Sequence, residues 1–340
     1  MGGAMKLGNV LRSTCTVVLV AGCGGSPAAP PASPQPVASA APTAAPVPSV
    51  VASAPPAASA APAAAPVGPK PVVQFTDGLS TPESVLYDAA ADRYLVSNIN
   101  GGPAAADNNG FIAELSPDGK VIAAKFIAGG VKNVKLDAPK GMGISKGTLY
   151  VSDINVVRKF DAKTGAPQGE IKFPKATFLN DIAIGADDKI YVSDSGLKPG
   201  KDGLEPDGSD AVYVIEKGKP KVIAESKDLA GPNGLALLGS ELLVVTFGSD
   251  EVYKLDPKGG KTSVTHLPAG GLDGIVVLGG DELLISSWKA SAVFRGKVGG
   301  KFDVAVPALK APADIGYDTK RKRLLVPHFT ENSVDVFDLQ

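Results

Sequence analysis

The chain has 340 residues, 34 basic against 35 acidic side chains, a formal charge of −1, two cysteines and two histidines. A balanced charge without a basic cluster or interleaved aromatics argues against nucleic acid as a partner, and so few His and Cys leave almost nothing from which to build a zinc site. The length would hold two average domains, but the composition is uneven and the first 70 residues offer no core-forming segment.

Residues 1–22 read as a lipoprotein signal peptide. Lys6 and Arg12 supply the positive end, and 14–21 form an apolar run shorter than the roughly 20 residues that span a bilayer. The run ends in Leu19-Val20-Ala21-Gly22-Cys23, which resembles the bacterial lipobox. That resemblance implies cleavage before Cys23, lipidation of Cys23 and loss of Cys15, so that no disulfide can form. Gly24 follows where Asp often signals inner-membrane retention, which points to the outer membrane. The expected place is therefore the bacterial cell envelope, lipid-anchored and facing the periplasm or the surface.

Residues 23–70 are almost entirely Ala, Pro, Ser and Val. Frequent prolines forbid helix and the lack of large side chains forbids a core, so this stretch reads as a disordered tether. In a polyproline-like state, at about 3.1 Å per residue, it would reach on the order of 100 Å.

Residues 71–340 read as an all-β, six-bladed β-propeller. An isolated apolar strand at 72–75 is followed by six units, each with a polar turn, an apolar strand and a second strand rich in Leu, Val, Ile and Tyr. The second strands fall at 94–98, 149–153, 190–194, 242–246, 283–287 and 324–328. A spacing of roughly 40 to 57 residues suits blades of four strands. The sixth unit lacks a fourth strand, which the segment at 72–75 can supply, joining the two ends of the ring and leaving no large unpaired edge.

This topology puts the start of each first strand and the end of each second strand at one rim. Glu83, Lys140, Asn180, Asp181, Asn233, Asp273 and Asp314 are expected to converge on one mouth of the central channel. Asn98, Asp153, Asp194, Thr246, Ser287 and His328 are expected to lie around it. Glu83, Asp273 and the amide oxygens of Asn180 and Asn233 suit a hard divalent cation such as Ca²⁺. Lys140, Asn180, Asp181 and Asp314 are candidate substrate contacts. Each residue also has a plainer reading: Asn-Gly and Asp-Gly before a strand are ordinary turn signals, and a residue at a strand end can bond only to the neighbouring backbone.

At Pro82-Glu83, Asn180-Asp181, Pro232-Asn233-Gly234 and Asp273-Gly274 the chain resembles the senescence marker protein 30/gluconolactonase family of six-bladed propellers. The resemblance implies that Glu83, Asn233 and Asp273 bind a divalent cation, that Asn180 lies beside metal and substrate, and that the reaction is hydrolysis of a lactone or a related ester. Nothing in the chain matches the family's substrate-binding arginine. In such a reaction a bound cation polarises the carbonyl while Asp273, or alternatively His328, takes a proton from water. The reading from a different class is a non-catalytic propeller that binds a ligand or protein at the envelope. Either way the expected partner at the mouth is a small molecule or ligand, with membrane contact through the lipid alone and a monomeric chain.

Three further patterns carry no chemistry in this context. Gly143 to Gly147 has nucleophile-elbow spacing but is followed by a strand rather than a helix. Gly259-Gly260-Lys261-Thr262 lacks the upstream glycine and helix of a phosphate loop. The acidic stretch 202–210 reads as a solvated insertion, with a second Ca²⁺ site or a cover over the mouth as alternatives.

Overall fold

The computed structural model describes residues 68–339, Asp202 excepted. The expected signal peptide, Cys23 and the expected tether as far as residue 67 lie outside the described residues. The described part is an all-β, six-bladed propeller without an α-helix.

Four-stranded antiparallel sheets follow one another along the chain. The innermost strands are Pro82–Asp88, Pro139–Ser145, Leu179–Ile184, Pro232–Leu238, Leu272–Val277 and Gly316–Asp318. The strands expected second in each blade appear as Arg93–Asn98, Thr148–Asp153, Ile190–Asp194, Glu241–Thr246, Leu283–Ser287 and Arg323–His328. In the sixth blade Val73–Phe75 lies antiparallel to Ser333–Asp338, with Val73 opposite Val336 and Gln74 donating to Asp335 at 2.7 Å. The ring thus closes by joining the two ends of the described chain.

Alternation along the strands sends apolar side chains into the spaces between blades. One cluster joins Leu95 and Ile112 of the first blade to Leu149, Val151 and Phe160 of the second. The same arrangement recurs at every blade junction, including the seam between the last and the first, where Leu325, Val334 and Val336 meet Val85, Tyr94 and Val96. The core is therefore a ring of inter-blade layers around a central channel.

One local device sets the orientation of the channel side chains. In five blades the pairing of first and second strands slips at the same place: between Pro82 and Ser84, Pro139 and Met142, Leu179 and Ile182, Pro232 and Leu235, and Leu272 and Ile275. Such a bulge takes one or two residues out of the ladder and re-aims their side chains. The residues taken out are Glu83, Lys140 with Gly141, Asn180 with Asp181, Asn233 with Gly234, and Asp273 with Gly274. The segments read from the sequence as turns are thus bulged beginnings of the inner strands.

Gly234 and Gly274 consequently have a different purpose from that of turn glycines. A Cβ on Gly234 would stand 2.3 Å from the Asp273 carbonyl oxygen, and one on Gly274 would stand 2.2 Å from the Ile315 nitrogen. They are glycines because the next inner strand runs against them.

Serines on the second strands tie the bulges together. Ser193 Oγ accepts from the Asp181 N–H at 2.9 Å and donates to the Asn233 carbonyl at 2.6 Å. Ser286 repeats this between the Gly274 N–H and the Ala313 carbonyl, both at 2.8 Å. Each hydroxyl satisfies backbone groups on two adjacent blades that the bulge would otherwise leave unpaired.

Candidate functional site

A cavity of about 250 Å³ opens at the rim where the second strands end. Glu83, Lys140, Asn180, Asn233 and Asp273 line its floor, one from each of the first five blades, and all five are buried. Glu83 Oε2, Asn180 Oδ1, Asn233 Oδ1 and Asp273 Oδ1 have no hydrogen-bond partner. An unsatisfied buried polar atom costs about 1–3 kcal/mol. Four such oxygens from four blades in one cavity are a strong departure from the rule that buried polar groups are paired.

The side chains of Asn180, Asp273 and Lys140 are held by their remaining polar atoms. Asn180 Nδ2 donates to Ser195 Oγ at 3.1 Å, which in turn donates to the Pro232 carbonyl at 2.8 Å, so the amide oxygen is the free end. Asp273 Oδ2 accepts from the Trp288 indole at 2.6 Å. Lys140 Nζ donates to the Ala138 carbonyl at 3.1 Å and lies 4.2 Å from the centre of the Phe178 ring. Its ammonium forms no ion pair among the described residues.

Burial dominates the electrostatics. It raises Glu83 well above the ordinary carboxylate range, and the nearby charge of Asp273 adds to the effect while Lys140 opposes it. Asp273 is raised to about 7, first by burial, with the Trp288 donor pulling the other way. Lys140 is lowered by burial against the opposing pull of Glu83, Asp153 and Asp194. The floor thus gathers two carboxylates that resist ionising together, two free amide oxygens and one cation.

The expected convergence on one mouth holds for only part of the set. Asp181 and Asp314 line a second cavity, of about 340 Å³, further along the inner strands. Asp181 accepts from the N–H groups of Leu235 at 2.7 Å and Ile182 at 2.6 Å, and Asp314 accepts from Ser84 Oγ. Adjacent residues of a strand point in opposite directions, so Asn180 and Asp181 enter different halves of the channel. His328 is also outside the mouth cavity. Its Nδ1 lies 2.9 Å from the Lys310 carbonyl, and its Nε2 sits 3.1 Å from Asp335 Oδ2, an ion-pair contact without hydrogen-bond angles.

The other strand-end residues organise loops. Asp153 accepts from the N–H groups of Asp137 and Ala138 and pairs with Arg158 at 2.8 Å, while Asp194 accepts from Thr177, Phe178 and Gly196. Among the described residues no group of three or more His, Cys, Asp and Glu side chains is gathered for a metal. The candidate set reaches four ligands only by counting its two amides.

The cavity walls were not anticipated from the sequence. Ile99, Ser195, Phe247, Trp288 and Phe329 line it, each directly following the end of a second strand. Trp288 packs between Phe247, with ring centres 5.7 Å apart at 81°, and Phe329, at 5.3 Å and 57°. Leu197 and Leu204 reach the same cavity from an inserted hairpin formed by Leu197–Gly200 and Gly203–Pro206. The acidic stretch 202–210 therefore includes one strand of a hairpin beside the mouth.

No family model matches the chain, and no curated protein matches it. Solved structures do. A gluconolactonase from Xanthomonas campestris is similar at 17% identity, covering 78% of this chain and 89% of the other, with a TM-score of 0.57. An inactive variant of virginiamycin B lyase from Staphylococcus aureus, solved with quinupristin, is similar at 14% identity over 78% of this chain and 98% of the other, with a TM-score of 0.52. The likeness is one of fold. At these identities site chemistry rests on this chain's own residues.

Proposed function

We propose that the chain is a divalent-cation-dependent hydrolase of a lactone or small ester, with Ca²⁺ held by Glu83, Asn180, Asn233 and Asp273. The observation that carries this reading is the set of four buried, unpartnered oxygens aimed into one cavity. Their chemistry fits the group: two carboxylates and two amide oxygens are the hard donors that Ca²⁺ accepts in flexible geometry. A bound cation would act as a Lewis acid toward the substrate carbonyl and offset the charge that develops on its oxygen.

The chain's own residues supply the rest. Asp273 is fixed through Oδ2 by Trp288 and keeps Oδ1 open to the cavity. Burial raises its carboxylate to about 7 in the cation-free site; a bound cation would keep it ionised, the form that can take a proton from water. Ser195 fixes the Asn180 amide so that its oxygen, not its nitrogen, faces inward. His328, held by Lys310 and beside Asp335 away from the cavity, has no part in this arrangement. The anchor on Cys23 and the long tether belong to the same proposal and put the reaction at the cell envelope.

One observation favours the second reading, a non-catalytic ligand-binding propeller: the buried Lys140, on the same floor, carries a charge that competes with a cation. The two readings separate in one assay. The full chain, stripped with EDTA, is offered a panel of lactones and aryl esters with and without Ca²⁺. Hydrolysis restored by Ca²⁺ and reduced by about 10²-fold or more in Asp273→Asn supports the enzyme. Binding of a panel member without cation-dependent turnover supports the second reading.

A further inference from the structure

The floor of the cavity is polar, but its walls are not. Phe247, Trp288 and Phe329 form one side, Ile99 and Phe178 the other, and Leu197 and Leu204 come in from the hairpin. The polar groups near the walls are committed: the Trp288 N–H to Asp273, and Ser195 to Asn180 and Pro232. Among the described residues no arginine lines the cavity. Its volume of about 250 Å³ falls just under the roughly 300–1,000 Å³ of sites for drug-sized ligands. A polyhydroxylated ring would meet a wall without partners for its hydroxyls, and each buried hydroxyl left unpaired lowers affinity by about ten-fold or more.

From this geometry we infer that the substrate is an apolar lactone or ester carrying an alkyl or aryl substituent, with its carbonyl toward the four floor oxygens and its substituent against the Phe247, Trp288 and Phe329 wall. Leu197 and Leu204 complete the enclosure of the substituent. The inference rests on the hydrolase reading of the same cavity and names its substrate class.

Trp288 is the single tryptophan of the chain, so its fluorescence reports on this wall alone. Lactams, the hydrolysis-resistant analogues of lactones, serve as probes in titrations of the full chain with Ca²⁺ present. The expected result is affinity rising about four-fold per added methylene along an alkyl-substituted series, with a phenyl-substituted lactam binding well and a polyhydroxylated sugar lactam weakest. Phe247→Ala should lower affinity for the phenyl member by about ten-fold. Leu204→Asp should act in the same direction, and because Leu204 is 38% exposed this variant keeps the fold if Phe247→Ala does not.

A sugar lactam that binds as tightly as the alkyl series, or a series with no lactam binding, overturns the inference. Alkyl preference in a protein that hydrolyses no matching lactone sustains the pocket chemistry and defeats the hydrolase reading. Turnover of sugar lactones without alkyl preference does the reverse.

Discussion

Trp288 donates its indole N–H to Asp273 Oδ2 at 2.6 Å and leaves Oδ1 facing the cavity without a partner. This one contact links the apolar wall to the polar floor. It also fixes which carboxylate oxygen is free.

Trp288→Phe keeps an aromatic ring in the wall and removes the donor. Asp273 then loses a hydrogen bond that favours its ionised form, and its affinity for a proton rises further. Calorimetric titration with Ca²⁺ at pH 7 is expected to show binding weakened by about ten-fold or more, the scale of a hydrogen bond to a charged group. Unchanged affinity would show that the contact does not govern the carboxylate.

The pH dependence has a definite sign. Asp273 rises from an ordinary 3.8 to about 7, chiefly by burial, and Asp181 rises to about 6 for the same reason. The folded state therefore binds protons more tightly than the unfolded chain, and cation-free protein loses stability as pH climbs from about 4 through 7. The loss for each group falls between its ordinary value and its raised one. A cation needs the ionised carboxylate, so stabilisation by Ca²⁺ should grow over the same range. Thermal unfolding at pH 5 to 8, with EDTA and with Ca²⁺, checks both slopes; a Ca²⁺ effect independent of pH would contradict the assignment of Asp273.

Gly274→Ala tests the packing that positions the floor. The added Cβ would meet the Ile315 nitrogen at 2.2 Å and Asp314 Oδ1 at 2.6 Å. The inner strands of the fifth and sixth blades must separate to admit it, at about 1–3 kcal/mol or more. Urea unfolding is expected to show this loss together with weaker Ca²⁺ binding, because Asp273 precedes the displaced residue. A variant of native stability would mean that the strands yield freely there.

The blades were legible because each strand is a short apolar run between turn residues, and each second strand falls where its pattern puts it. Glu83, Asn180, Asn233 and Asp273 were legible because they recur at one position of the repeat. The bulge was not, since a slip in pairing leaves no mark on the alternation of one strand. The sequence alone therefore groups Asp181 and Asp314 with Asn180 at one mouth. The wall residues did carry a signal, namely the residue directly after Asn98, Asp194, Thr246, Ser287 and His328. Its side chains vary from Ile to Ser to Phe and Trp, which hid the shared position.

The proposed anchor makes an independent prediction. Cys23→Ser removes the only sulfur that the lipobox reading allows to be acylated. The variant is expected in the soluble fraction after cell lysis, with the unmodified chain in the membrane fraction and labelled by a radioactive fatty acid. Equal partition of the two, without label, would remove the lipid from the account.

Four buried oxygens on four blades are proposed to hold one cation. Ca²⁺ is titrated into the EDTA-stripped full chain, and into its Glu83→Gln, Asp273→Asn variant, by calorimetry, with the melting temperature followed in parallel. A single cation per chain is expected in the unaltered protein, with about 2.7 kcal/mol of added stability at 100 times the dissociation constant, and neither effect in the variant. Absence of both in the unaltered protein, or equal binding by the two proteins, would contradict the proposal.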